Sequence, residues 1–348
     1  MTRWISFAVA LATFLTAASC GSEASPQQQT AAPLTEVPAG PIQRCVNLSN
    51  GLEAPREGEW GYVVRARHIL AIAEAGFDTV RLPVKVSAYT GPAPDFAISE
   101  QLLSRLDTLI GQAVAADLNI ILDVHHFDEI YADPDGELPR LKAIWRQLGA
   151  RYAGAPDSLI FEVLNEPRDA LTVSRMNALN REMLAVIRET NPTRWVILSS
   201  AEWGGLSGWL GADFPRELNV MSTFHYYEPY EFTHQGATWM ETPPEYSGEW
   251  GDDPSEIAKV REHFARARQK ALSDGLPVLL GEFGAHRSNS SEERAIWLET
   301  VRRASEQAGF GWCHWGLASE FGLYDAETVT WTPDMLGALG LSPERSAP

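Results

Sequence analysis

The chain has 348 residues, 45% apolar and 21% charged, which excludes a disordered polypeptide and leaves room for one large domain or two ordinary ones. Its 46 acidic against 28 basic residues give a formal charge of −18, and so acidic a surface repels phosphate backbones and argues against nucleic acid as a partner. Three cysteines (Cys20, Cys45, Cys313) without CxxC spacing offer neither a zinc site nor a dense disulfide framework.

The first twenty residues read as an export signal. Arg3 precedes an apolar stretch from Ile5 to Leu15, too short to span a bilayer, and Ala17-Ala18-Ser19-Cys20 places small residues before a cysteine. That ending resembles a bacterial lipobox, so the expectation is a lipid anchor at Cys20 on a secreted bacterial lipoprotein, periplasmic or at the cell surface; ordinary signal cleavage is the alternative. Residues 21–40, rich in Ser, Gln, Pro and Ala, read as a flexible linker. A single domain is expected over 41–341, with a tail at 342–348.

Short β-branched or apolar runs then recur at 44–48, 79–82, 119–124, 159–164, 195–199, 220–225, 277–281 and 311–315, and most are followed by a helical pattern. Leu102, Leu106, Leu109, Ile110 and Ala113 form one apolar stripe, and Ile257, Val260, Phe264, Ala267 and Ala271 another. Asp253-Pro254-Ser255-Glu256 reads as a capped start for the second helix, and Ser290 with Glu293 as a capping box for a third. Eight strands alternating with helices predict an α/β fold with parallel pairing, best a (β/α)8 TIM barrel, with a doubly wound open sheet as runner-up. GxGxxG, GxxxxGK[ST] and GxSxG are absent, which weakens nucleotide-binding and serine-hydrolase versions of the open sheet.

Polar groups follow nearly every strand: Asn47, Asn50 and Glu53 after the first, Arg81 in the second, His125-His126 after the third, Asn165-Glu166 after the fourth, His225-Tyr226-Tyr227 after the sixth, Glu282 after the seventh and Trp315 after the eighth. In a barrel these ends converge on one mouth. Glu166 and Glu282 are the natural acid–base pair. Cleavage of a glycosidic bond needs one carboxyl to protonate the leaving oxygen and another to meet charge developing at the anomeric carbon. Arg81 and Tyr227 are placed to hydrogen-bond Glu282 and hold it ionised, as a nucleophile needs; Glu166, with no cation assigned to it, suits the acid, and Asn165 suits a sugar 2-hydroxyl. An isolated Asn165-Glu166-Pro167 could equally be a helix entry.

Six segments in order, VRLPV (80–84), ILDVHHFDEIY (121–131), FEVLNEPR (161–168), FHYYEPYEFTHQGATW (224–239), LGEFGAH (280–286) and HWGLASEFGLYD (314–325), resemble glycoside hydrolase family five, most of all its bacterial endo-β-1,4-glucanases, the cellulases. The resemblance implies the barrel and a retaining double displacement, with Glu166 as acid/base and Glu282 as nucleophile, supported by Arg81, His125, Asn165, His225, Tyr227 and Trp315. It also implies sugar contacts from Asn50, Glu53, His126, Trp203, His234 and Trp239. Gly316-Leu317 departs from the Glu-Phe of many relatives, a change expected to reshape the cleft.

Consecutive strand residues face opposite ways, so His125 and His126 are not expected to share an ion, and neither a catalytic metal nor a cofactor is expected; Asp133-Pro134-Asp135 is a weak candidate for calcium. Trp145 and Trp297 read as packing residues, whereas Trp60, Trp203, Trp239 and Trp315 are candidates for stacking on a pyranose. Glu245, Glu249, Asp252, Asp253 and Glu256 read as a solvated face. Cys45 and Cys313 fall on strands adjacent in a closed barrel; two buried thiols are the favoured reading and a bridge the alternative. The expectation is a monomeric endo-acting retaining β-glycosidase, cutting internal β-1,4 links of a neutral glucan. A β-mannanase or dual glucan/mannan hydrolase is the alternative among enzymes, and a non-catalytic glycan-binding lipoprotein the rival outside them.

Overall fold

The computed structural model of the chain describes Met1 and residues 34–342, so the expected signal with Cys20, residues 21–33 of the linker and the tail beyond Ser342 lie outside the described residues. Residues 34–40, read from sequence as linker, lie against the barrel: Thr35 O accepts from Arg268 at 2.9 Å and Val37 packs on the core.

Eight parallel strands, β1 (Arg44–Asn47), β2 (Thr79–Val84), β3 (Asn119–Val124), β4 (Leu159–Glu162), β5 (Val196–Leu198), β6 (Val220–His225), β7 (Val278–Phe283) and β8 (Gly311–His314), pair in sequence order. Pairing of β1 with β8, with Cys45 opposite Cys313, closes the barrel and eliminates the open sheet. Among the described residues no helix is long and apolar enough to cross a membrane.

The helices form where their caps and stripes direct. Glu100–Ala115 starts with the Ser99 side chain accepting from the Leu102 N–H and buries Leu102, Leu106, Leu109, Ile110 and Ala113. Pro254–Asp274 is capped by Asp253 and stops at Gly275, whose φ of 69° a side chain would resist. Ser290 and Glu293 close a capping box on Ser291–Ala308. Trp145 and Trp297 sit fully buried on helices, as packing residues.

Strand alternation divides the core in two. Val46, Val80, Leu82, Ile120, Leu122, Leu198 and Leu280 belong to the large cluster that packs under the helices. Residues of the opposite parity (Cys45, Ile121, Ile160, Ile197, Met221, Leu279 and Cys313) form a separate cluster inside the barrel. There Cys45 and Cys313 are joined as a disulfide between Cα atoms 4.1 Å apart, which corrects the reading of two free thiols. Strand register forces the two side chains to the same side at the same height.

Candidate active site

Following the inward-facing parity two residues toward the C-terminal ends replaces alkyl side chains by charge: Cys45 gives way to Asn47, Ile121 to Asp123 and Ile160 to Glu162, with Arg81 among them on β2. Arg81 is fully buried. Its Nε and Nη2 donate to both Glu162 oxygens (2.7 and 2.8 Å), its Nη1 to Asn47 Oδ1 (2.9 Å) and Glu282 Oε1 (2.7 Å), and its Nη2 to Asn165 Oδ1 (2.8 Å), with Asp123 Oδ2 at 3.0 Å. One guanidinium therefore faces three carboxyl groups. Burial alone would ease its proton off, but Asp123, Glu162 and Glu282 outweigh that and hold Arg81 well above its usual range. In return, burial pushes Asp123 up to about 7 and raises Glu162, each against the pull of Arg81.

Glu282 is the penultimate residue of β7, where the register against β6 and β8 shifts, and Gly281 before it lies against Thr223 and His225 so closely that a Cβ would not fit. Besides Arg81, Glu282 accepts from Tyr227 Oη at 2.9 Å, with His225 Nδ1 at 3.5 Å. Glu166 follows β4 in the left-handed region (φ 43°), one of five cleft-lining positions so held, with Asn50, His126, Glu202 and Trp203. Such backbone is strained for a side chain and is kept where surrounding contacts over-determine it. Here Tyr131 Oη donates to Asn165 O at 2.6 Å and the Trp145 indole to Val163 O at 3.0 Å, locking the run before Glu166. Glu166 Oε1 and His225 Nδ1 are hydrogen-bonded at 2.8 Å.

Burial pushes both glutamates up to about 7; His225, Arg81 and Tyr227 pull Glu282 down against the charge of Glu166, while Arg168 and Arg81 pull on Glu166 against Glu162. Expecting no cation near Glu166 is thus corrected: Arg168, two residues on, lies with its guanidinium carbon 4.0 Å from the Tyr131 ring centroid and 4.1 Å from that of Trp203. Of the two carboxyls, Glu282 has donors from Arg81 and Tyr227 and Glu166 has the single contact to His225, so the first proton to leave the pair leaves Glu282 anionic. An oxygen of each glutamate and a nitrogen of His225 lie within 4.8 Å of one another. Retaining enzymes hold their two carboxyls about 5–5.5 Å apart and inverting ones about 6.5–9.5 Å, and the close approach of one oxygen from each glutamate is in line with the former.

All the remaining expected residues gather at this mouth. Asn50, Glu53, His125, His126, His234, Trp239 and Trp315 line a cavity of about 650 Å³ together with both glutamates and Tyr227. Trp203 and His225 line a second lobe of about 880 Å³, which shares His126, Glu166, Tyr227, His234 and Trp239 with the first. Glu166 thus sits where two lobes of one cleft meet, with Glu282 in the smaller lobe. Trp315 stacks on His125 (centroids 5.7 Å, planes 4° apart), whose Nδ1 is hydrogen-bonded to Asp123 at 2.6 Å. His234 stacks on Tyr230 at 4.0 Å. Trp203 and Trp239 are more than half exposed, with ring surface free for a sugar face. Burial pushes the Glu53 carboxyl up to about 8, against three backbone N–H groups. Asn165 Nδ2 is buried without a partner among the described residues.

Two expectations need correction. Strand parity does not separate His125 from His126: β3 ends at Val124, His126 turns left-handed (φ 49°), and both imidazoles line the cleft with centroids 4.4 Å apart. Gly316-Leu317 does not line it. Leu317 is buried and Gly316 lies so close to Ser49 that a Cβ would collide with its hydroxyl, so Ala318, Ser319, Glu320 and Phe321 form that wall instead. Among the described residues, the one cluster of three groups spaced to hold a cation is Glu166, His225 and Glu282 themselves. Sequence reasoning missed Glu162 and the part Asp123 plays beside Arg81; continuing the period of two from Ile121 and Ile160 would have found both. Tyr131, Tyr230 and Glu320 carried no such signal.

The comparisons agree with this geometry. The family model described as cellulase (glycosyl hydrolase family 5) matches residues 47–320. Endoglucanase H of Acetivibrio thermocellus is 29% identical over 301 residues, 84% of this chain but only 32% of that protein, so the chain spans about a third of that relative. Endoglucanase A of Ruminococcus albus is 28% identical over 324 residues, 83% of this chain and 86% of the relative. Thermotoga maritima Cel5A, solved with cellobiose and with mannotriose, is 37% and 36% identical, covers 86% of this chain and 97% of its own, and superposes with a TM-score of 0.83 in each case. The chain therefore belongs to the glycosyl hydrolase family 5 cellulases.

Proposed function

We propose that the chain is an endo-acting, retaining β-1,4-glucanase. The observation that carries this is the short Glu166–Glu282 separation in an open, aromatic-lined cleft, with hydrogen-bond donors weighted toward Glu282. In the first step Glu282 attacks the anomeric carbon while Glu166 gives its proton to the departing glycosidic oxygen, forming a glycosyl ester on Glu282. In the second, Glu166 takes a proton from water, the water oxygen bonds to the anomeric carbon and the ester breaks. Arg81 and Tyr227 hold the carboxylate in place and favour its charged form. Asp123 fixes the His125 tautomer with Nδ1–H inward, leaving Nε2 as an acceptor for a sugar hydroxyl. An uncharged glucan meets no Coulomb penalty from the acidic surface. The open cleft, extending both ways from the pair, suits cleavage within a chain.

Proton NMR of the first product formed from cellopentaose tests the reading: β-anomer first supports double displacement, and α-anomer first overturns it. The mannanase alternative is not favoured, since the relatives are named endoglucanases. Because a similar protein has been solved with mannotriose, the comparison runs on carboxymethyl-cellulose, glucomannan and mannan, with cellulose the expected best substrate. If wild type and Glu282→Gln behave alike on every glycan, the glycan-binding lipoprotein reading prevails. On residues 1–20 alone we further propose export and lipid anchoring at Cys20 of an enzyme that works as a monomer. Detergent-phase partitioning of wild type, lost in Cys20→Ala, tests the anchor, and sedimentation tests the monomer.

A further inference from the structure

The larger lobe of the cleft holds the acid without the nucleophile: Glu166 and His225 line it, and Glu282 does not. On the glucanase reading the departing sugar sits beside its proton donor, so this lobe is the leaving-group side. Trp203 is the most exposed ring on its wall. A ring that open on a loop can turn unless something holds it, and a sugar that must first order its own platform binds less tightly.

The backbone under this ring is left-handed at three successive residues, Glu202, Trp203 and Gly204 (φ 59°, 59° and 64°). The Trp203 N–H donates to Pro167 O at 3.1 Å, and the His225 N–H to Gly204 O at 2.8 Å. The ring itself is held by Arg168, whose guanidinium lies between the faces of Tyr131 and Trp203. Asp128 sets the plane of that guanidinium: its Oδ1 accepts from Arg168 Nη2 at 2.9 Å while its Oδ2 accepts from Lys85 Nζ at 2.8 Å. Trp203 and Glu202 also line a shallow depression of about 500 Å³ outside the lobe, and Arg168 lines that depression and not the lobe. The cation therefore backs the ring on the side turned away from the cleft, and the side toward Glu166 stays open to a sugar. The same stack reaches the acid. Arg168 Nη1 donates to Glu166 O at 3.4 Å, and the buried Tyr131 donates its hydroxyl to Asn165 O.

We propose that Arg168 is a positioning residue, which fixes Trp203 as a sugar platform on the leaving-group side and ties that platform to the turn carrying Glu166. A guanidinium suits the task because it is planar: its two faces stack on the rings while its edge donates to Asp128 and to Glu166 O. An ammonium would bring the charge without the faces. The leaving-group assignment rests on the glucanase reading. Arg168 is also the foremost group pulling the Glu166 proton off, ahead of Arg81 and against burial and Glu162; His225, Glu282 and Asp123 are the other titratable groups that face Glu166.

The test is a double-mutant cycle on cellopentaose hydrolysis. Arg168→Met and Trp203→Ala should each raise KM by about fivefold to tenfold, a larger factor than either takes from kcat. The double variant should have the KM of Trp203→Ala, because the cation acts through the ring. Arg168→Lys should raise KM as Arg168→Met does while keeping the alkaline limb of the wild-type pH profile, whereas Arg168→Met moves that limb to higher pH. KM effects that multiply in the double variant overturn the proposal, and so does a wild-type KM in Arg168→Lys. If Arg168→Met does not fold, the cycle run with Arg168→Lys decides in the same way. Wild-type protein that hydrolyses cellopentaose, with effects that multiply, sinks only the positioning role; wild-type protein that hydrolyses no β-1,4-glucan sinks the glucanase reading and this inference with it.

Discussion

Two residues of strand separate the driest and the most charged parts of this barrel. On β3 the step from Ile121 to Asp123, and on β4 from Ile160 to Glu162, passes from an alkyl layer sealed by the Cys45–Cys313 disulfide to a layer where one arginine serves three carboxyls. Both layers are fully buried, yet they do opposite work. The lower layer excludes water and stabilises by area and packing, and any similar volume would serve. In the upper one burial raises every acid, and the shared guanidinium keeps one of them, Glu282, ready to ionise. Charge is sustained only in the layer next to the mouth of the barrel, where Arg81 is there to meet it.

The contrast breaks first, and furthest, in the upper layer. Glu282→Gln should lower kcat on a soluble cello-oligosaccharide by about 10⁴–10⁶-fold with the melting temperature little changed. Retention of more than a tenth of wild-type rate would remove Glu282 from the chemistry. Arg81→Met strands three buried carboxyls and should cost about 3–5 kcal/mol in urea unfolding, with activity lost as well. If Arg81→Met unfolds at the wild-type midpoint, the network around it is not what holds the mouth together.

The lower layer should respond in stability alone. Ile160→Ala is expected to cost about 2–5 kcal/mol, and Cys45→Ser with Cys313→Ser about 2–4 kcal/mol. Both proteins should keep the wild-type pH profile at low temperature. A shifted profile in either would show that the layers are coupled.

Titration separates the two layers more gently. On the proposed double displacement, activity needs Glu282 charged and Glu166 protonated, so the acid limb of kcat/KM should report Glu282 and the alkaline limb Glu166, with activity falling as pH rises past about 7. For stability the sign is reversed from that of an ordinary salt-bridged acid. Glu53, Asp123, Glu166 and Glu282 all hold their protons more tightly folded than unfolded. Their stabilisation is complete below about 4.5 and is lost as pH climbs through about 7 and 8. The melting temperature should therefore drop between pH 5 and 8, and Glu53→Gln should recover about 2–4 °C at the upper end. A flat melting curve in wild type would contradict the raised values.

Features with a short period were readable from the residues alone. Strand alternation, the apolar stripe of 102–113, the caps at Asp253 and Ser290 and a polar group after nearly every strand are set by neighbours within one or two turns, so they were legible without coordinates. The two glutamates were legible for the same reason, as acids ending predicted inward strands. Folding alone brought residues distant in sequence into one space: Glu162 and Asp123 on Arg81, Arg168 under Trp203, the Cys45–Cys313 bridge 268 residues apart, and the left-handed turn that brings His126 beside His125. Those contacts depend on barrel closure and on loop backbones that the pattern of side chains does not encode locally. A residue type reveals what chemistry it can offer, and closure decides which partner that chemistry meets.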